Sequence, residues 1–237
     1  MLRSYINLSN NKVFSDYRYE IKFVLDNTRL ADVMQWLYNN TTANKSYDNR
    51  VVNSIYFDDV GFSSVRDNLS GITPRNKLRL RWYGNQKNSL PIFEVKTKNG
   101  RLGNKTAYPI KSIKNNIMEL NIDKITSKCI KDLAMHDIIL DEHIVPTLQV
   151  NYEREYYETH DSIRITIDQD IQFSDTQLHT ILNENNSFPY PFQIMEIKFE
   201  PSMKDKVAKL IKDERKNIEE NKNINSKYKK ENSLSCE

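Results

Sequence analysis

The chain has 237 residues, of which 38% are hydrophobic and 28% are charged, and its net charge is only +3. That length suits one large domain or two small ones, and the charge is too small to indicate nucleic-acid binding. No apolar run approaches the roughly 18 residues of a membrane span, and the polar segment 1–16 lacks the apolar core of a secretion signal. We therefore expect a soluble, cytoplasmic protein.

Cysteines and glycines exclude several kinds of site. Cys129 and Cys236 are too far apart in the sequence to define a disulfide framework or a metal-binding spacing. The five glycines form neither of the phosphate loops, GxGxxG and GxxxxGKS/T, in which backbone amides approach phosphate closely. If the protein binds phosphate, its side chains must do so.

The first half of the chain is predicted to contain four strands and one helix. Asp26 or Asn27 can cap a helix over residues 28–40, whose apolar stripe includes Val33 and Leu37. The strands are predicted at residues 17–25, 51–57, 76–83 and 91–98, the last two as a hairpin, and loops or turns at 41–50 and 60–75.

The second half is predicted to mix strands with short helices. A short strand near residues 104–110 precedes helical pieces over 112–143, in which Ile130 is one of the expected core residues. Further strands are predicted at 147–156, 162–168 and 192–199, before a helix with Pro201 near its first turn. About eight strands and three blocks of helix predict one α+β domain over residues 17–230, between a lead-in (1–16) and a polar tail (231–237).

Charged residues recur on one face of the predicted strands. Lys77, Arg79 and Arg81 alternate with large apolar residues, so their side chains all point to the same side of the strand. Similar alternation occurs in residues 18–23, 93–98, 164–168 and 195–199. A flat sheet with one face in solvent would explain a single strand of this kind. It does not readily explain five of them, because like charges on one face repel each other. A closed barrel with a cationic lumen explains the repetition and removes exposed strand edges.

The order of these segments resembles the VTC (vacuolar transporter chaperone) domain, which belongs to the triphosphate tunnel metalloenzymes. The matching segments are residues 18–22, 52–58, 77–84, 93–98, 152–156, 164–168, 196–199 and 226–228. The resemblance covers roughly residues 15–230. It implies a tunnel of eight antiparallel strands with helices packed outside. Catalytic members of the family transfer the γ-phosphate of ATP to inorganic polyphosphate with a divalent metal, Mn²⁺ or Mg²⁺.

The resemblance also implies roles for individual residues. The cations implied to act in catalysis are Lys77, Arg79, Arg81, Lys96, Arg164 and Lys198, and those implied to bind phosphate are Lys22, Lys98, Arg154 and Lys227. Glu196 is implied as the metal ligand. Glu20 and Glu94 stay open between metal ligands, water-positioning groups and internal counter-ions. Arg101 and Lys105 follow the strand that ends at Lys98 and are expected near a tunnel mouth.

The implied ligands are ATP and inorganic polyphosphate, triphosphate or pyrophosphate, with no nucleic acid. Because the sequence has no membrane span of its own, coupling to export would need a membrane-protein partner. The attacking group in such a reaction is the terminal phosphate of the growing chain, so no nucleophilic side chain is required.

Two alternatives stay open. The first is a hydrolase of the same architecture that cleaves tripolyphosphate or a nucleoside triphosphate. Hydrolase relatives carry an ExExK strand, whereas this chain has Arg18 in place of the first Glu, which disfavours two-metal hydrolysis. The second is a non-catalytic module that binds polyphosphate.

Overall fold

The computed structural model describes residues 18–84, 90–99, 102–114, 117–176, 180–182 and 186–212. Five predicted features lie outside the described residues: the lead-in, the polar tail, the turn of the predicted hairpin, Arg101 and Lys227. None of the helices in the described part of the chain is long and apolar enough to cross a membrane.

Nine strands and four α-helices are found within the described ranges. In chain order they are β1 (Tyr19–Leu25), α1 (Asn27–Asn40), β2 (Asn44–Asp59), α2 (Ser63–Leu69), β3 (Arg75–Tyr83), β4 (Ile92–Asn99), β5 (Leu102–Pro109), α3 (Ile122–Ala134), β6 (Ile144–Glu158), β7 (Arg164–Ser174), β8 (Ser187–Pro189), β9 (Gln193–Phe199) and α4 (residues 204–212). Single 3₁₀ turns lie at Ile117–Glu119 and Pro201–Met203.

Eight strands follow one hydrogen-bonded path in the order β1-β9-β7-β6-β2-β3-β4-β5, and β8 pairs with β7. The pairs β1–β9, β2–β3, β3–β4, β4–β5 and β7–β8 are antiparallel. The β3–β4 pair confirms the predicted hairpin partners. With helices packed on this sheet, the predicted α+β class with eight antiparallel strands is confirmed.

The chain divides into two compact units, and the larger one comprises residues 49–155 and 168–191 among those described. In this unit α3 supplies buried side chains such as Ile125 and Leu133 to a core that also contains Leu78, Leu80 and Trp82 of β3. The apolar face of β3 therefore lies under α3. The alternate side chains of β3 must point to the opposite face of the sheet.

The smaller unit comprises residues 18–48, 156–167 and 192–212 among those described. Its core joins Val33 and Leu37 of α1, Ile197 and Phe199 of β9, and Val207 of α4. Asp26 caps α1, because its Oδ1 accepts a hydrogen bond of 2.8 Å from the backbone N–H of Arg29. The apolar residues of β9 are thus covered by helices, and its charged residues lie on the other face.

Residues 44–50 correct the predicted loop, because they form the first half of β2. All seven are exposed and polar or charged apart from Tyr47, so the sequence lacks the apolar alternation of a strand. Contacts across the sheet explain the difference. The ring of Tyr47 meets that of Tyr156 edge-on at 5.8 Å, and the amide of Asn49 donates to Glu153 Oε1 at 2.9 Å.

Helix α2 corrects the predicted run of turns between residues 60 and 75. Asp58 ends the apolar part of β2, and its carboxylate accepts backbone N–H groups from Ser64 and Val65 at 3.0 and 3.2 Å. These donors belong to the first turn of α2, where backbone N–H groups have no partner within the helix.

The prediction that Ile130 belongs to the core is wrong, because its side chain is 47% exposed on α3.

Candidate functional site

The charged face of the larger unit is built from β3, β4 and β5. The register places Lys77 opposite Lys96, and Lys96 opposite Lys105. Arg75 and Lys98 are the next same-face pair, at the end of the β3–β4 hairpin that is away from its turn. Like charges directly opposite each other weaken a sheet. A row of three lysines therefore destabilises the sheet unless nearby anions neutralise it.

Arg79 is held beside this row by a carboxylate and a phenol. Its Nε donates to Glu94 Oε2 at 2.9 Å, a second N–H reaches the same oxygen, and NH1 donates to the Tyr56 hydroxyl at 3.4 Å. Lys105 Nζ lies 2.5 Å from the other oxygen of Glu94. Glu94 is therefore an internal counter-ion, which is one of the three roles that the sequence left open.

The pKa values of this group follow from burial and charge. Burial alone would raise the pKa of Glu94, but the guanidinium of Arg79 and the ammonium of Lys105 outweigh burial and lower the pKa from 4.5 to about 2. Burial opposes the charge of Arg79, but Tyr56 and Glu94 together raise the pKa of the guanidinium. The charged forms of both side chains are stabilised.

A second aromatic residue links Arg81 to Arg154. The Tyr152 hydroxyl accepts a hydrogen bond of 3.2 Å from NH2 of Arg81, and the guanidinium of Arg154 lies over the Tyr152 ring at 5.2 Å. Burial raises the pKa of Tyr152 despite the neighbouring arginines, so the phenol stays protonated. Among the described residues, the buried Nε of Arg81 has no hydrogen-bond partner.

Arg154 is fixed by a bidentate pair with Asp168. Its Nε and NH2 donate to the two oxygens of Asp168 at 2.5 and 2.7 Å, a bidentate pair in which both side chains are nearly buried. A surface pair with Glu153 or Glu155, which the sequence also allows, is not needed to explain the orientation of Arg154.

The smaller unit carries a ring of four alternating charges on β1 and β9. The register places Glu20 opposite Lys198 and Lys22 opposite Glu196. Lys22 Nζ lies 2.9 Å from Glu196 Oε2 and 3.3 Å from Glu20 Oε1. Lys198 Nζ contacts Glu196 Oε1 and lies 3.9 Å from Glu20 Oε2. Each lysine therefore touches both carboxylates.

Glu196 is the most buried member of this ring, with 6% of its side chain exposed. Burial would raise the pKa of its carboxyl group, but Lys198 and Lys22 lower it from 4.5 to about 2. For Lys22 burial acts against the charge, and Glu196 and Glu20 outweigh it, so the pKa is raised. The charged forms of Glu196 and Lys22 are therefore both stabilised.

Arg164 is the predicted site residue that the described contacts do not join to either group. It lies at the exposed start of β7 in the smaller unit, and its Nε is 3.6 Å from Glu158 Oε1. Lys227, also predicted as a phosphate contact, lies outside the described residues.

The acidic side chains suit a divalent metal only in part. In the described part of the chain, no group of three or more His, Cys, Asp or Glu side chains is arranged to hold a metal ion. Glu196 and Glu20 nevertheless offer oxygen ligands on one face of neighbouring strands. Mg²⁺ is commonly held by one or two carboxylates, with substrate phosphates and water completing its shell. The residues fit a metal that arrives with phosphate, and not a closed protein site.

Sequence reasoning missed the residues that orient the arginines, namely Tyr56, Tyr152 and Asp168. The sequence alone predicts core or barrel-wall positions for the two tyrosines and no role for Asp168. The signal was available in part: Tyr152 lies two residues before Arg154 and so shares its face. The pairing with Asp168 depends on the alignment of β6 with β7, which the sequence does not reveal.

Comparison with known proteins identifies one matching family. The family model described as the VTC domain matches residues 17–234. No curated protein matches the chain. Among solved structures, the chain is similar to the PH1819 protein of Pyrococcus horikoshii OT3, with 14% identity, a TM-score of 0.44, and coverage of 84% of this chain and 90% of that one. A Bacillus halodurans protein provisionally assigned as an adenylate cyclase has 13% identity, a TM-score of 0.47, and coverage of 83% and 88%.

Proposed function

Because the chain belongs to the VTC domain family, we propose that it is an ATP-dependent polyphosphate polymerase. In the proposed reaction, an oxygen of the terminal phosphate of the chain attacks the γ-phosphorus of ATP. The bond from the γ-phosphorus to the β–γ bridging oxygen breaks. The products are ADP and a polyphosphate longer by one phosphate.

The charge of the larger unit's sheet face is the observation that supports this proposal. Seven cations share the face of β3, β4 and β5 with one carboxylate, Glu94; they are Arg75, Lys77, Arg79, Arg81, Lys96, Lys98 and Lys105. Such a surplus suits a ligand with many negative charges in a line. Phosphoryl transfer proceeds through a loose transition state, so fixed cations can supply much of the catalysis by positioning and neutralisation.

Arg81 is the residue that we expect to bind phosphate most directly. Its Nε is buried and lacks a hydrogen-bond partner among the described residues, and such a donor costs about 1–3 kcal/mol unless a ligand satisfies it. Its NH2 is positioned by Tyr152. A phosphate oxygen would complete this hydrogen bonding, because a guanidinium presents its donors as a fork that matches phosphate.

Arg79 and Arg154 are proposed to bind phosphate from fixed positions. Three of the five N–H groups of Arg79 are engaged by Glu94 and Tyr56, which leaves two for a ligand. Arg154 is fixed by Asp168. The lysine row next to Arg79 is proposed to bind further phosphates of the chain.

The acidic ring of the smaller unit is the proposed metal site, with Glu196 as the principal ligand and Glu20 as the auxiliary one. A Mg²⁺ or Mn²⁺ ion held there would neutralise negative charge that develops on the phosphates. Lys22, Lys198 and Arg164 are proposed to bind phosphate in this unit. Glu94 is proposed as a counter-ion rather than a metal ligand, because its partner Arg79 is held in place by Tyr56 as well.

Turnover followed by ³¹P NMR tests the proposal. We expect the purified protein with ATP and Mg²⁺ to produce a growing mid-chain phosphate signal and an equivalent amount of ADP. Arg81→Gln is expected to lower kcat/KM about 10²-fold, the usual scale for losing one preorganised donor. Lys206→Gln removes an exposed ion pair with Asp161 and serves as the charge-matched control.

The other outcomes identify the alternatives. Orthophosphate release without chain growth would replace the polymerase with a hydrolase. Tight tripolyphosphate binding without any turnover would leave a binding module.

A further inference from the structure

The ring of Glu20, Lys22, Glu196 and Lys198 is closed on itself. Each oxygen of each carboxylate faces a different ammonium group, and each ammonium faces both carboxylates. Two negative and two positive charges therefore cancel within the ring. A cation that approaches Glu196 meets a carboxylate that is already neutralised.

The members of the ring differ in their freedom to move. The side chain of Glu196 is 6% exposed, whereas those of Lys22 and Lys198 are 57% and 39% exposed. A lysine carries its charge on a flexible four-carbon stem, and its ammonium changes partners with little cost to the backbone. The glutamate stays in place, and the lysines are the groups that can leave.

We infer that Lys22 and Lys198 occupy the metal position at Glu196 until phosphate draws their ammonium groups away. The metal and the phosphate then bind as a coupled pair. Metal alone binds weakly, because it must displace two ammonium ions or sit beside them. Phosphate alone draws the lysines toward itself and leaves Glu196 as an uncompensated buried carboxylate, which a divalent cation then neutralises.

Glu94 provides a contrast within the same chain. Its partner Arg79 uses two N–H groups on one carboxylate oxygen and is also held by Tyr56. A guanidinium fixed in this way does not leave when an anion arrives. One of the two cations at Glu94 is therefore fixed, whereas both cations at Glu196 are on flexible stems, which makes Glu196 the better suited of the two carboxylates to receive a metal.

This inference rests on the proposed function for its ligands, but its test needs no turnover. Mn²⁺ is titrated into the protein without nucleotide, and free Mn²⁺ is measured by its electron paramagnetic resonance signal. Lys22→Gln and Lys198→Gln are each expected to tighten Mn²⁺ binding by about 5- to 150-fold, the usual range for coupled sites. Lys206→Gln makes the same change of net charge in the same unit and should bind Mn²⁺ like the wild type.

Adding Glu196→Gln to Lys22→Gln should remove the gain, since the gain depends on a released carboxylate. Sulfate, a tetrahedral dianion that binds Mn²⁺ only weakly itself, is then added to the wild type. We expect sulfate to tighten Mn²⁺ binding in the wild type and to have no such effect in the Lys22→Gln/Lys198→Gln double variant. Circular dichroism of each variant verifies that it is folded.

Equal Mn²⁺ affinity in the wild type and both single lysine variants would overturn the inference. A gain that survives Glu196→Gln would also overturn it, because the metal would then bind elsewhere. Failure of the proposed function has a different signature, in which the Mn²⁺ results hold and no polyphosphate forms from ATP. The two ideas can therefore fail separately.

Discussion

Glu94 is the residue whose replacement most directly tests the charged face of the larger unit. Glu94→Gln keeps the shape of the side chain and removes the charge that neutralises Arg79 and Lys105. The lowering of its pKa from 4.5 to about 2 corresponds to about 3 kcal/mol, at about 1.4 kcal/mol for each pKa unit. Removing one partner of a buried ion pair typically costs about 3–5 kcal/mol. We expect the free energy of unfolding to fall by about 3 kcal/mol.

The pH dependence of that loss has a definite sign. The folded-state pKa of Glu94 is below its unfolded value, so its contribution is fully present above pH 4.5 and disappears as the pH falls toward 2. Urea unfolding of the wild type should therefore show decreasing stability through this interval. In Glu94→Gln the decrease in stability with falling pH should be smaller, because this variant has no carboxylate at position 94 to become protonated.

An exposed carboxylate provides the control. Glu142 is 89% exposed and has only a distant contact with His143, so Glu142→Gln should leave the free energy of unfolding almost unchanged. Tripolyphosphate should restore part of the stability lost in Glu94→Gln, since the ligand replaces the missing negative charge beside Arg79. A cost below about 1 kcal/mol, with an unchanged pH dependence, would refute the counter-ion role of Glu94.

Two further changes test contacts of the arginines, and a third experiment tests the burial of Cys129. Tyr152→Phe keeps the ring under Arg154 but removes the hydroxyl that accepts a hydrogen bond from Arg81. The free energy of unfolding should fall by about 1 kcal/mol, and calorimetry should show weaker binding of tripolyphosphate. An unchanged Kd would contradict the positioning role of Tyr152. Asp168→Asn should cost about 3–5 kcal/mol in urea unfolding, because it leaves Arg154 without its charge partner; a loss within error would contradict this. Burial raises the pKa of the Cys129 thiol. In a Cys236→Ser variant, which removes the second thiol, a disulfide reagent at pH 8 should therefore label Cys129 only as fast as the chain unfolds. Immediate labelling would contradict this.

The strands were predictable where apolar and charged residues alternate. Leu78, Leu80 and Trp82 of β3 are buried as the pattern requires, and the matching positions in β4 and β9 behave in the same way. The first half of β2 was not predictable, because its side chains face solvent and its pairing depends on contacts such as Tyr47 with Tyr156. Alternation of apolar and polar residues predicts a strand only when one face of that strand is buried. Residues 44–50 have no buried face and therefore show no such alternation.

Helix α2 was missed for a related reason. Its residues Val65 and Leu69 are 49% and 81% exposed, so its apolar stripe does not face the core. The better signal was the pair Asp58-Asp59, whose carboxylates accept backbone N–H groups at the start of the helix. Acidic residues just before a short segment are a known start signal for a helix.

The candidate site was predictable in its cations and not in their partners. Alternation along β3 was enough to place Arg79 and Arg81 on one face. The partners that orient these arginines come from β2, β4 and β6, and identifying them requires the register between strands. A one-residue slip of register would exchange every partner, and no single-strand pattern specifies it.

The two charged groups differ in the kind of cation that neutralises each carboxylate. In the larger unit, Asp168 pairs with an arginine, and Glu94 pairs with Arg79 as well as Lys105. In the smaller unit, Glu196 pairs with two lysines. Because a guanidinium held by two or three hydrogen bonds keeps its place and an ammonium on a flexible stem does not, the first arrangement suits a fixed phosphate-binding surface. The second suits a site whose charge changes when ligands arrive, and the Mn²⁺ titrations of the lysine variants measure that difference.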